Sequence, residues 1–297
     1  MICKKCGKKA DVVIKRMHIS LCREHYVDRI RGIVSDTIKK FEMIMPNDRV
    51  LVAVSGGKDS LALWEILSTL GYHTDALFID LGIEDYSEFC KRECYNFGKE
   101  IGGKLIIFDL KKEFGKSLMD VVAKSPRKAC SVCGIIKRYI MNFVAVKKGY
   151  DALATGHTLD DEVAFLASNI LRWDIVQISR QKPVLESWHP MLAKKVKPLC
   201  MLSDLEMMNY ALALGIRVCE EKCPLSTNAF SPFMKKILND IENRAPGTKK
   251  NFYREFLKNR SIFERTVIDD IKIMECENCG MPTVGKYCSF CKIMGFA

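Results

Sequence analysis

The residues able to do chemistry in this chain of 297 amino acids cluster in a few short segments. One is Ser55-Gly56-Gly57-Lys58-Asp59-Ser60, placed after the apolar run Arg49–Val54 and before a helical pattern, so that Ala53 and Val54 lead directly into it. Two glycines let the backbone turn sharply and bring its N–H groups against an anion. A helix start adds partial positive charge, Lys58 a full one, and Ser55 and Ser60 hydroxyl donors. Asp59 beside a polyphosphate suits a role in orienting Mg²⁺ or a ligand hydroxyl. The segment is not the Walker pattern, which needs G-x-x-x-x-G-K-[ST].

Fourteen cysteines are many, and most fall into C-x-x-C pairs. Cys130 and Cys133 lie in a stretch, 124–138, with five Lys/Arg and no acid, a field that favours thiolate and attracts phosphates. Lys137 is one of those cations, and Cys223-Pro224 supplies a later third thiol. Three such thiols could hold three irons of a 4Fe-4S cluster and leave the fourth open. A redox disulfide, a zinc site completed elsewhere, or inert buried cysteines are the competing readings. At the N-terminus, Cys3-x-x-Cys6 and Cys22-x-x-His25 give four ligands in two knuckles. At the other end, Cys276-x-x-Cys279 and Cys288-x-x-Cys291 give another four. Each set closes a tetrahedral Zn²⁺ shell with no open position, which is structural zinc. The metal stands in for a core that such short segments cannot build. His18 is a rival ligand of less typical spacing. Cys90, Cys94, Cys200 and Cys219 read as core or surface cysteines, and the expected compartment argues against disulfides.

These segments need a frame. Apolar runs at 49–54, 75–80, 104–110 and 151–156 alternate with helical patterns at 61–71, 87–101, 117–124, 134–147 and 161–173. A helix follows Ser203-Asp204, and Ile216–Cys219 reads as a further short strand. Such alternation of apolar strands and helices implies an α/β fold, Rossmann-like, with a parallel sheet covered on both faces and zinc-binding domains at the N- and C-termini. Ligands in open α/β sheets bind at the carboxyl ends of strands. There Ile79 could cover an adenine, Gly156 permits close approach, and Asp161 can hold Mg²⁺ or contact the nucleotide. Asp161 is equally a plausible helix cap. The expected division is a zinc finger over 1–26, a catalytic domain over 27–226 with a connecting helix 27–45, a basic helical segment over 227–270, and a second zinc finger over 271–297. A loop region rich in Arg, Lys and Pro spans 179–198.

Composition narrows the class. With 48% hydrophobic and 28% charged residues the chain can bury a core, so wholesale disorder is excluded. No apolar run approaches the ~18–20 residues a membrane-spanning helix needs, and no secretory signal is read at the N-terminus, so a cytoplasmic enzyme without a membrane partner is expected. The net charge of +11 sits at the ends: +7 over residues 1–40, +4 over 235–297, and none between. A neutral body with basic arms suggests a polyanion partner.

The SGGKDS segment resembles the SGGxDS motif of the PP-loop ATP pyrophosphatases, which split ATP between its α and β phosphates. An ordinary glycine-rich turn would not need all six residues. PP-loop, Cys130-x-x-Cys133 followed by Gly134 and Lys137, the segment Gly156–Asp161, Cys223-Pro224 and cysteine-rich ends occur in the order of the tRNA 2-thiolation enzymes of the TtuA/NcsA group. That resemblance covers essentially the whole chain. It implies ATP and Mg²⁺, two Zn²⁺, and a labile 4Fe-4S cluster on Cys130, Cys133 and Cys223, with Lys137, Asp59 and Asp161 at the active site. The expected reaction adenylates the C2 oxygen of a tRNA uridine and replaces it with sulfur. The donor in similar enzymes is a ubiquitin-like carrier protein or free sulfide, and dimers occur among them. The wobble position and the T-loop both fit. Two other classes compete: a lysidine synthetase-like PP-loop ligase, which would leave the three cysteines idle, and a non-catalytic zinc-finger RNA-binding protein.

Overall fold

A computed structural model describes residues 1–14, 18–219, 221, 223–226, 230–264 and 273–297. The chain opens with a hairpin of β1 (Val12–Ile14) and β2 (Ile19–Leu21), then α1 (Arg23–Lys40). The central unit runs β3 (Arg49–Val54), α2 (Lys58–Thr69), β4 (His73–Asp80), α3 (Glu84–Glu100) and β5 (Lys104–Asp109). It continues through α4 (Leu110–Phe114), α5 (Leu118–Ala123), α6 (Ala129–Lys147), β6 (Ala152–Thr155), α7 (Leu159–Arg172) and α8 (Ile175–Ser179). After β7 (Val184–Leu185), β8 (Lys195–Val196) and α9 (Asp204–Leu214) come α10 (Phe230–Arg244), α11 (Thr248–Asn259) and α12 (Ser261–Glu264). The last elements are β9 (Met274–Glu275), β10 (Pro282–Thr283) and α13 (Ser289–Met294).

Six strands form one sheet in the order β5-β4-β3-β6-β8-β7. All neighbours are parallel except β7, which runs antiparallel to β8 at the edge. Alternation along β3 divides the interior. Val50, Val52 and Val54 join a core with α1, α2, α7 and α9, whereas Leu51 joins a second core with α6 and α13. The chain order reverses direction across the sheet between β3 and β6, which puts the ligand crevice at their carboxyl ends.

Close approach fixes α2 in place. The Trp64 indole fills the space where side chains at Gly98 and Gly103 would stand: a Cβ at Gly103 would lie 2.4 Å from the ring. Trp64 also meets Phe97 edge-on at 6.0 Å.

Several expectations need correction. Residues Ile216–Cys219 form no strand. They lie as a loop over Gly56, and the sheet edge beyond β6 is filled by β8 and β7. Those two strands lie inside the stretch 179–198 expected to be loop. Helix α6 starts at Ala129 rather than 134, so the Cys130–Cys133 pair sits in its first turn. Helix α1 starts at Arg23 and ends at Lys40, which places His25 in its first turn. α6 also has the length and composition of a membrane span, 19 residues at mean hydropathy 1.4, contrary to the expectation from sequence. Core helices share that property, and here Val132, Ile136, Ile140 and Val144 are buried against the sheet. The expected boundaries at 226/227 and 270/271 fall at residues (227–229 and 265–272) outside the described ones, as do Glu220 and Lys222 beside Cys223.

Candidate nucleotide and sulfur site

The loop from Ser55 to Gly57 leaves β3 and enters α2 with its first-turn amides unpaired by any capping side chain. Ser60 holds the loop closed: its hydroxyl donates to the Gly57 carbonyl at 2.9 Å and accepts from the Ser55 N–H at 3.1 Å. Gly56 has φ +80°, the left-handed region. A side chain there would also meet the Cys90 carbonyl oxygen at 3.1 Å. Lys58 donates to both carboxylate oxygens of Asp59, at 2.7 and 2.8 Å. Gly156, at the end of β6, lies against this turn; a Cβ there would stand 3.0 Å from the Ser60 nitrogen. The half-buried Ala53 and buried Val54 end β3, and the half-buried Ile79 is at the matching end of β4.

Asp161 serves two purposes. Its Oδ2 accepts from the Thr158 N–H at 3.0 Å, closing a capping box at the start of α7. Its Oδ1 pairs with Lys235 of α10 at 2.6 Å, and Lys235 reaches Asp204 at 3.0 Å. Burial raises the Asp59 carboxyl, Lys58 opposes this, and Asp204 and Asp161 push it up further. Asp59, Asp161 and Asp204 therefore share one electrostatic neighbourhood with Lys58 and Lys235. Burial also opposes the charge of Asp161, but Lys235 and the Thr158 amide hold its carboxyl below the usual range. Hard oxygen donors at a phosphate loop fit Mg²⁺. Sequence reasoning missed Lys235 and the part played by Asp204, because their meeting depends on α10 packing across α7 and α9. Asp204 carried a signal only as a helix start. His157, adjacent to Gly156, is exposed and hydrogen-bonds with Thr155 at 2.8 Å.

The three cysteines come to the same end of the sheet. Cys130 is exposed, Cys133 and Cys223 are half-buried. Cys130 Sγ approaches the Leu225 carbonyl at 3.6 Å, which joins the Cys223 segment to α6. Burial raises the Cys133 thiol, Lys137 pulls it down, and Cys223 and Cys130 raise it again, so the three sulfurs interact. Tyr86 of α3 feels both Cys223 and Cys133. The segment is tied to the phosphate loop: the Cys219 N–H donates to the Gly56 carbonyl at 2.8 Å.

Cys219 is not an idle thiol. It forms a disulfide with Cys90 of α3, across 129 residues of sequence, against the expectation that both were unlinked. The bond removes Cys219 as a ligand and leaves Cys130, Cys133 and Cys223 as the free thiols of this mouth. Cys94 lies buried nearby, its thiol pushed up to about 12 by burial. Three free thiols with cations beside them fit three corners of an iron–sulfur cluster.

The terminal sets are compact. Cys3, Cys6, Cys22 and His25 bring their ligand atoms within 4.8 Å of one another, and so do Cys276, Cys279, Cys288 and Cys291. His18 is not in the group. Burial raises Cys3, but N–H donors from Cys22, Lys5 and Cys6 outweigh it and bring the thiol to about 5. Cys276 falls to about 6 in the same way, with the Cys288 N–H at 3.2 Å from its sulfur. Three thiols with an imidazole at one end, and four thiols at the other, fit tetrahedral zinc at this spacing.

Fold and loop together define a PP-loop protein, and a model of the PP-loop domain matches residues 30–236, so the chain belongs to that family. Within it the chain groups with the tRNA 2-thiolation enzymes of the TtuA/NcsA group. It is 44% identical over 294 residues to the tRNA-5-methyluridine(54) 2-sulfurtransferase of Thermus thermophilus, covering 99% of this chain and 91% of that one. To the protein of the same name from Pyrococcus horikoshii it is 42% identical, covering 99% and 94%. The structure of the U34-tRNA thiolase NcsA from Methanococcus maripaludis with its 4Fe-4S cluster aligns at TM-score 0.83 and 26% identity, over 100% of this chain and 96% of that one.

Proposed function

We propose that this chain is an ATP-dependent tRNA-uridine 2-sulfurtransferase of the cytoplasm, and that its target is 5-methyluridine 54 of the T-loop. Three relatives named for position 54 share 39–44% of residues with it, against 26% for the thiolase named for position 34. One contact supports the chemistry most directly. The Cys219–Gly56 hydrogen bond ties the segment leading to Cys223 to the phosphate loop, which supports the reading that nucleotide and sulfur chemistry share one mouth.

In this reading the loop amides, Lys58 and the Ser55 and Ser60 hydroxyls hold the triphosphate, with Gly156 giving room and Ile79 flanking the adenine. Asp59 and Asp161 would hold Mg²⁺, which supplies charge neutralisation at the phosphates when bound. The uracil C2 oxygen bonds to the α-phosphorus, the bond to the β-phosphate oxygen breaks, and pyrophosphate leaves as the N3 proton is lost. Lys58 and the amides meet the charge that develops. Sulfide, free or delivered by a carrier protein's thiocarboxylate, then adds at C2, and AMP departs with the former oxygen. Cys130, Cys133 and Cys223 would hold the 4Fe-4S cluster, which supplies a Lewis-acidic iron for sulfur. Lys137, one turn beyond Cys133, steadies anionic charge between the two halves. Cys3, Cys6, Cys22 and His25, and separately Cys276, Cys279, Cys288 and Cys291, would each hold one Zn²⁺. The working division remains a zinc finger at either end of a catalytic body.

Nucleoside mass spectrometry of tRNA after anaerobic reaction with ATP and sulfide tests the reading. Cys130→Ala, Cys133→Ala and Cys223→Ala should each abolish 2-thiolation with ATP binding near normal, and the product should map to position 54. Lys58→Ala and Asp161→Ala should lose pyrophosphate release. Retained thiolation in all three cysteine variants would overturn the triad.

A further inference from the structure

Beside the sulfur mouth lies a cavity of about 220 Å³ between the loop ahead of α6 and the C-terminal ribbon. Lys124, Ser125 and Arg127 line one wall, Ser289 and Lys292 the other, and no acidic side chain lines it. None of the three cations is in an ion pair among the described residues. Lys124 acts on the Asp120 carboxylate only as a minor influence, behind the Ser117 N–H and hydroxyl that hold that carboxylate in the capping box. Cations from segments about 165 positions apart thus line one cavity without an ion pair among the described residues, an arrangement that favours an anion between them.

The two walls are fixed relative to each other. Tyr139 of α6 stacks on Phe290 of α13 with ring centroids 3.6 Å apart and planes within 3°. Phe114 meets Phe290 edge-on at 5.2 Å, and the Lys116 ammonium donates to the Met294 carbonyl. The cavity is therefore a preformed feature of the fold. Its first wall continues, three residues after Arg127, into the exposed Cys130.

We propose that this cavity is an RNA-backbone site: Lys124, Arg127 and Lys292, with the Ser125 and Ser289 hydroxyls, take phosphates of the substrate RNA next to the reacting base. The inference rests on the reading that the substrate is tRNA, and adds where its backbone docks. Unpaired cations with hydroxyl donors match phosphodiester oxygens. The cavity's few apolar groups, Pro126 and Ile293, are too small a surface to seat a folded protein. Phosphates anchored here hold the strand by its backbone, which leaves a splayed base free to enter the neighbouring mouth.

The test uses metal-loaded enzyme and fluorescently labelled unmodified tRNA, with Kd measured from low to moderate salt. Arg127→Gln and Lys292→Gln should each weaken binding about tenfold at low salt and cut the slope of log K against log salt by about 1, and the double variant by about 2. Lys292→Arg should restore the slope. ATP affinity, zinc content and melting temperature should match wild type. Variants that bind tRNA with the wild-type Kd and slope would overturn the proposal, leaving the function intact. Unchanged tRNA binding with failed use of a carrier protein would assign the cavity to that protein and overturn it equally. If wild-type enzyme showed no salt-dependent tRNA binding, the tRNA reading itself would fall.

Discussion

Asp160 and Asp161 are adjacent in sequence and opposite in consequence. Asp160 is 2% exposed and pairs with Lys249 of α11, also buried, at 2.5 Å, while its other oxygen accepts the Asp204 N–H at 2.9 Å. Asp161 faces the phosphate loop and pairs with Lys235. Removing one partner of a buried pair strands the other charge, at a cost of about 3–5 kcal/mol. Asp160→Ala should therefore lose several degrees of melting temperature. Asp161→Ala should lose about 1 kcal/mol or less through the cap, but most pyrophosphate release. Thermal unfolding and a pyrophosphate assay on the two variants check this, and equal melting with equal activity would contradict it. The segment Gly156–Asp161 announces two carboxylates, and only the packing of α11 and α10 assigns them. The same holds for cysteine. C-x-x-C spacing reveals local ligand pairs, whereas the Cys90–Cys219 bond depends on a tertiary approach that neither residue's neighbours encode.

Elements whose structure follows from local pattern were legible: the apolar runs of β3, β4, β5 and β6 and the amphipathic helices between them. The short strands β7 and β8 were not, because two-residue strands have no period to read: β8 exists by pairing with β6, and β7 by pairing with β8. The loop 216–219 has a strand's composition, yet its amide is used by Gly56 rather than by a ladder. Trp64 shows what holds such elements in register. Its ring occupies the Cβ positions of Gly98 and Gly103, so α2 seats against α3 and β5 only if both stay glycine. Gly103→Ala would bring a methyl to 2.4 Å from the indole and force a shift. Overpacking of this kind costs about 1–3 kcal/mol. Urea unfolding should show that loss with ATP affinity unchanged; an unaltered midpoint would mean that α2 has slack the contacts do not suggest.

On the scale of the molecule, the two terminal ribbons belong to different sides of the sheet. Cys3, Leu21 and Cys22 join the core of α1, α2 and α9, whereas Cys276, Cys288, Phe290, Cys291 and Met294 join the core of α6. Neither ribbon is a tethered appendage, and each proposed zinc supports one layer. The C-terminal ribbon touches the catalytic body through Phe290, which packs on Phe114 and stacks on Tyr139, the latter on the helix whose first turn carries Cys130 and Cys133. Loss of metal there should loosen α6 from its outer side while β3 and the phosphate loop, packed from both faces, stay ordered. Cys288→Ser should release one zinc per chain and raise hydrogen exchange along α6. It should also depress thiolation and tRNA affinity together, with ATP binding within about twofold of wild type, an order-of-magnitude expectation from the separation of the layers. Exchange that rose equally in α2 and β3 would show that the sheet transmits the loss and that the ribbons act on the whole fold rather than on the sulfur side.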